Sequence, residues 1–268
     1  MPVDLLRRDY SAALLYEPIH DVTYFCPEAA AAATTLGLRG FWMGYVTFRA
    51  APLGPVCPSV VTSCFYGFHR SRVERALPDA WRLASPEAAL AARQESAAAA
   101  LTRLWGRVGV TSDAVTETAE LAWQAARFAR CDGRVLAAAN HALPRPGGPA
   151  AAIWQAVTTL REHRGDGHNA VLVARGIAPV LAHLLKLGSG ESDEQPLRLS
   201  RNWPPQVWAE QVAEAVAGGW LEPGTHRLTA SALREHDGIE QLTDELATGN
   251  HSGRGDGWLP GVSGDRVA

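Results

Sequence analysis

The chain has 268 residues and a mass of 28.7 kDa, enough for one large domain or two small ones at about 100–200 residues each. Apolar residues make up 47% and charged residues 20%, a balance that excludes an intrinsically disordered chain. With a net charge of −3 and Lys186 as its single lysine, the chain has no strong basic field to hold a phosphate backbone.

Helix signals dominate. Pro27 suits a first helical turn and Gly37 a C-cap, so the punctuation predicts a helix over 27–36. Residues 40–51 are apolar and aromatic nearly all round (Phe41, Trp42, Tyr45, Phe48), which predicts a buried helix stopped by Pro52. The β-branched stretch 56–68 fits either a strand or a buried helix. Ser85-Pro86-Glu87 is an N-cap, N1 and acidic first turn for a long alanine-rich helix to Trp105. Ser112 caps the next helix, to Arg130, and a shorter one spans 133–143 before the Pro/Gly loop 144–149. A helix is expected over 150–163, with Gly165 ending it and Asp166 capping another through Arg175. Gly176 turns the chain into a helix over 178–187, and 188–197 reads as a polar linker. A helix over 204–218, a short strand over 225–229 and a last helix over 230–247 complete the pattern. The Gly-rich tail is expected to be disordered.

Helix, glycine turn, helix, linker, helix, short strand, helix is the order of a winged helix. HNAVLVARGIAPVLAHLLKL has helix-turn-helix spacing, and VAGGWLEPGTHRLTASAL reads as the end of a recognition helix followed by a wing. This part resembles the winged helices of multiple-antibiotic-resistance-type regulators. The fold expected is mainly α: a helical N-terminal region over 1–149, a winged-helix region over 150–248 with a short β-wing, and a tail over 249–268.

Four cysteines (Cys26, Cys57, Cys64, Cys131) are scattered without a CxxC pair, which excludes a zinc ribbon and reads as small buried hydrophobes in a reducing compartment. The N-terminal MPVDLLRRDY lacks the apolar region of a secretory signal. Arg175, Pro179 and His183 interrupt the most apolar stretch, 169–187, so no membrane span is expected. The expected location is the cytoplasm.

The densest polar cluster is LREHRGDGH, residues 160–168, between two apolar helices. It reads in one of two ways. As a structural joint, Gly165 supplies a left-handed cap, Asp166 an N-cap, and Glu162 pairs with arginines. As a site, His168 in a first helical turn is a neutral base near pH 7, with His163 beside it. Asp166 or Glu162 orients it, and Arg161 and Arg164 hold an anionic group. A metal set of His163, Asp166 and His168, with His20 as a distant fourth, matches no known ligand spacing, and neither metal nor cofactor is expected. Arg49 is the lone charge among aromatics in GFWMGYVTFRAAPLG. It is either the partner of Glu162 or Asp166, or the charged anchor of an apolar pocket with Trp42 and Tyr45. His20 reads as a core histidine or a pocket-lining one.

The ordered set EPIHDVTYFCPE, LGLRGFWMGYVTFRAAPLG, FYGFH–RALPDAW, LAAANHAL, TLREHRGDGH and GWLE–LT–IEQLTDELA resembles an actinobacterial helix-turn-helix family described as SalPPf-like, over about residues 15–247. The resemblance implies a mainly helical N-terminal region joined to a winged helix; it implies neither a substrate nor an operator. Val46-Thr47-Phe48 and Asn169 depart from that pattern, which bears on pocket shape.

Two function classes follow. One is a protein of secondary metabolism, an enzyme or binder, that takes an apolar or aromatic small molecule with an anionic group between the aromatic N-terminal helix and LREHRGDGH. The other is a ligand-responsive winged-helix regulator, with a homodimer as the expected assembly. Residues 204–218 contain no Arg or Lys and carry Glu210 and Glu214, and 178–187 offer only His183 and Lys186. A recognition helix normally presents cations and amides to DNA, so this composition disfavours DNA as a partner.

Overall fold

The computed structural model describes residues 12–248, and the proline and glycine punctuation lands at its helix ends. α1 (Ala12–His20) and α2 (Val22–Phe25) lead into α3 (Pro27–Thr35), which has Pro27 in its first turn and Gly37 beyond its end at φ +74°. α4 (Gly40–Ala50) buries Met43, Val46 and Phe48 and ends in a 3₁₀ turn that carries Pro52. The stretch with two readings resolves as helix α5 (Pro58–Cys64). Pro58 has no N–H for a sheet ladder and suits a first helical turn. After the short α6 (Arg70–Glu74) and α7 (Asp79–Leu83) comes α8 (Pro86–Arg107), where the Ser85 hydroxyl accepts the Ala88 N–H at 3.2 Å. Thr111, not Ser112, caps α9 (Ser112–Phe128), and α10 (Val135–His141) follows.

The largest departure from expectation is α11, one unbroken helix over Pro149–Ala174. Gly165 does not end a helix and Asp166 does not cap its own. Two interior glycines weaken a helix by about 1 kcal/mol each relative to alanine, yet burial on several faces of α11 outweighs that. Its first half packs Ile153, Trp154 and Val157 against α8 and α9, while Val171 and Leu172 join the C-terminal core. Gly167 has a steric purpose. A methyl there would collide with the guanidinium of Arg134, which lies across α11 and donates to the carbonyls of His163 and, at 2.9 Å, of Leu246.

α12 (Pro179–Gly188) leaves α11 at 104° through the turn 175–178, with Gly176 at φ +67°. That angle and turn length describe a helix-turn-helix. The expected linker 188–197 is half helical, because α13 (Glu194–Arg201) begins inside it; Asn202 at φ 62° then turns the chain into α14 (Pro205–Ala217). The expected β-wing is not formed. Residues 220–229 make a minimal hairpin with one isolated bridge, Leu221 to Leu228, before α15 (Ala230–Thr248), and the described residues contain no strand. Pro223 and Gly224 give the turn, but the arms are too short for a ladder. The expected disordered tail over 249–268 lies outside the described residues. No single described helix is long and apolar enough to cross a membrane.

The two larger cores are centred on α4 to α6 and on α12 to α15, beside the smaller clusters that α11 forms with α8 and α9. The loop 65–69 joins them: Trp203 Nε1 and His183 Nε2 both donate to the Gly67 carbonyl, at 2.9 and 2.7 Å. A side chain at Gly67 would strike the His183 ring.

The two glycines of α11 separate steric need from helix propensity. Gly167→Ala is expected to lower stability by about 1–3 kcal/mol through overpacking against Arg134. Gly165→Ala meets only ordinary contacts at 3.8 Å and is expected to leave stability unchanged or raise it by up to about 1 kcal/mol. Urea unfolding of both variants measures the contrast.

Candidate functional site

Because α11 is continuous, LREHRGDGH is distributed around a helix rather than gathered in a joint. Arg161, Arg164, Gly165, His168, Asn169 and Leu172 recur at i, i+3, i+4, i+7, i+8 and i+11, and all six line one cavity of about 360 Å³. Its other walls include Glu17 from α1, Arg49 from α4, the loop 64–68, Lys186 from α12, Glu191 beyond it, Arg201 from α13, and His236 and Glu240 from α15. The site therefore lies between the N-terminal bundle and the helix-turn-helix part.

Glu162 stands behind this wall. Its side chain is almost fully buried (1% exposed), and Arg49 grips it with two hydrogen bonds of 2.8 and 2.9 Å. Arg161 adds a third at 3.1 Å and reaches Glu17 of α1 at 3.0 Å. Burial opposes ionisation of Glu162, but the two guanidinium groups outweigh it and hold the carboxyl far below the usual range. The ion-pair reading of Arg49 with Glu162 is thus the geometry found. Loss of this carboxylate would leave two guanidinium groups short of a partner, a change worth about 3–5 kcal/mol in buried pairs.

His163 and Asp166 lie away from the cavity. His163 Nε2 donates to the Arg130 carbonyl at 2.9 Å, and Asp166 Oδ2 accepts the Ala137 N–H at 3.0 Å, so Asp166 caps α10 across space. Burial raises the Asp166 carboxyl to about 6. His20 is buried against Thr158 at 3.1 Å, and burial takes its pKa well below the usual value. Trp42 lies outside the cavity with Arg72 stacked 4.0 Å from its ring, while Tyr45 lines a different hollow and meets Arg49 only through its hydroxyl at 3.5 Å.

Of the sequence-derived candidates, Arg49, Arg161, Arg164 and His168 meet at the cavity. Arg164 is held by Glu240 and Asp244 at 2.9 and 3.0 Å. The Thr243 hydroxyl donates to the Ile239 carbonyl at 2.8 Å, so at 3.0 Å from His168 Nδ1 it accepts that N–H. This fixes the tautomer and leaves Nε2 with the free lone pair. Burial, partly offset by Glu240, lowers the His168 pKa; the helix-dipole cause expected from sequence does not apply in mid-helix.

Sequence reasoning missed Arg201, Lys186 and His236 as site residues, and noted Asn169 only as a departure from the family pattern that bears on pocket shape. Arg201 lies 4.6 Å from the Phe68 ring and donates to Ser200 Oγ at 3.3 Å. Among the described residues, neither it nor Lys186 forms an ion pair with a carboxylate, unlike Arg49, Arg161 and Arg164. Helical face arithmetic over 161–172 carried the signal for Asn169; nothing local marks Arg201. No group of three or more His, Cys, Asp or Glu among the described residues could hold a metal ion.

The bent helix pair and the second helix pair around Asn202 define a helix-turn-helix protein. The chain belongs to a helix-turn-helix family, whose family model matches residues 10–257. No curated protein and no solved structure matches it.

The raised Asp166 pKa has a consequence for stability. Between the unfolded value of 3.8 and about 6, the folded state holds more protons, so this group's contribution falls as pH rises through that window. Asp166→Asn cannot titrate and keeps an oxygen for Ala137. The difference in unfolding free energy, wild type minus variant, should therefore fall by about 2–3 kcal/mol from pH 4 to 7. Urea titrations of both proteins test this. Asp21 and the buried histidines cancel in the difference.

Proposed function

We propose that this helix-turn-helix protein binds an anionic small molecule in the cavity between α11 and α12 to α15. The observation that carries the reading is Arg201, a guanidinium on the cavity wall with no carboxylate partner among the described residues, with Lys186 in the same wall. Arg201 is half-buried and Lys186 exposed, and a partly desolvated guanidinium without a counter-ion favours an anion in the space it faces. Burial lowers the Arg201 pKa, an environment that rewards such a ligand. Phe65, Tyr66 and Phe68 supply apolar wall, which suits an aromatic carboxylate or phenolate better than a bare ion. His168 Nε2, with its free lone pair, accepts a hydrogen bond from the ligand or takes its proton. The motifs that resemble a SalPPf-like group support a finer assignment within the family, and a role in secondary metabolism is proposed on that resemblance alone.

Family membership favours a second reading, in which ligand occupancy controls DNA binding. α12 is poorly suited to read DNA, since Val180, His183, Leu184 and Leu185 are buried. α14 exposes Glu210 and Glu214 and no cation. Exposed cations of this part include Arg227 on the hairpin, Arg234 on α15 and Lys186 on α12.

Calorimetric titration with benzoate and with inorganic phosphate tests the first reading. Benzoate is expected to bind, and Arg201→Gln to weaken it by about tenfold or more, the scale of a lost charge-assisted hydrogen bond. Affinity unchanged in both Arg201→Gln and Lys186→Gln would overturn the reading. Fluorescence anisotropy with a random duplex at low salt addresses the second: micromolar, salt-sensitive binding that weakens in Arg227→Ala supports it.

A further inference from the structure

We infer that the cavity is two-ended and takes an elongated aromatic hydroxy acid, with its carboxylate at Arg201 and its hydroxyl at His168 and Lys186. The inference rests on the anion reading above and adds which polar group the far end recognises. Arg161 and His168 both face the cavity from α11, two helical turns or about 10 Å of rise apart. Arg201 belongs to the first end: the charges that act most on it are those of Tyr45, Arg49, Arg161 and Glu17. His168 belongs to the second, where Glu240, Arg164, Lys186 and His236 act on it. The two sets share no residue. Aromatic wall starts at the first end, where Arg49 lies 4.4 Å from the Phe65 ring and Arg201 4.6 Å from the Phe68 ring. Leu172, one turn past His168 on the same face, supplies apolar wall at the second end. A flat, apolar middle between two polar ends suits this lining.

The second end calls for a hydroxyl and not for another anion. His168 Nδ1 gives its proton to Thr243, and among the described residues Nε2 has no partner, so it is an acceptor. Burial lowers the imidazole pKa and favours this neutral form. Lys186 adds a donor without a carboxylate partner among the described residues, while Arg164 is committed to Glu240 and Asp244. A hydroxyl donates and accepts at once, which matches one acceptor beside one donor. A second carboxylate would instead meet the His168 lone pair, Glu240, and the Glu191 that pairs with His236 at 3.3 Å. Both recognition groups can be reached: the His168 side chain is 29% exposed and Lys186 is exposed.

Calorimetric titration of the full chain with cinnamate, 4-hydroxycinnamate and 2-hydroxycinnamate at neutral pH tests this. Cinnamate is expected to bind, and 4-hydroxycinnamate to bind about fivefold to tenfold tighter, the scale of one added hydrogen bond. The 2-hydroxy isomer is expected to gain nothing, because its hydroxyl stays close to its own carboxylate. His168→Leu is expected to remove the preference for the 4-hydroxy acid while still binding cinnamate. Lys186→Met, at an exposed position, is expected to reduce the same preference and decides the matter where His168→Leu fails to fold. Equal affinity for cinnamate and 4-hydroxycinnamate, an equal gain from the 2-hydroxy isomer, or a preference that survives substitution would overturn the inference. Benzoate binding without binding of any cinnamate overturns the inference alone; failure of benzoate as well overturns the anion reading beneath it.

Discussion

The buried carboxylate of Glu162 is the interaction on which this arrangement depends. It sits on the central helix α11, takes a two-pronged bond from Arg49 of α4, and shares Arg161 with Glu17 of α1. Three helices distant in sequence are thereby held at one point, in a setting where an unmatched charge is costly. Arg49 and Arg161 also face the cavity. The pair that fixes the N-terminal bundle on α11 thus shapes the electrostatics of the candidate site.

From that anchor, α11 acts as a two-sided beam. One face supplies Arg161, Arg164 and His168 to the cavity, while another sends His163 and Asp166 to the backbone of the 130–137 segment. Arg134 crosses at Gly167 and reaches the last turn of α15. Charge density in a short stretch of sequence here serves two separate jobs. The groups on the cavity face suit ligand contact, and those on the other face are structural.

The helix-turn-helix part is used in an inward sense. α12 buries Val180, His183, Leu184 and Leu185, and its exposed Lys186 lies at the cavity. α13 brings Arg201 to the same wall and reaches the N-terminal part at Arg72, whose guanidinium donates to the Leu199 carbonyl at 2.8 Å. The geometry makes these helices walls of a chamber, whatever further role the exposed hairpin has, and fold alone does not decide function.

Sequence by itself determined the helical class and most helix ends, since Pro27, Gly37, Ser85 and Gly176 act through local backbone geometry. It also offered Glu162 or Asp166 as the partner of Arg49, because a lone arginine among aromatics needs a carboxylate, and the packing of α4 on α11 selected Glu162. Tertiary structure decided what local signals misread. Gly165 and Asp166 look like a helix break when only neighbours are considered, yet packing on both halves of α11 outweighs two glycines, and Gly167 leaves room for a guanidinium from 33 residues earlier in the chain. Continuity of α11 then determines which of its polar residues share a face. Arg201 carries no local mark, because its meaning comes from what long-range packing leaves unpaired beside it.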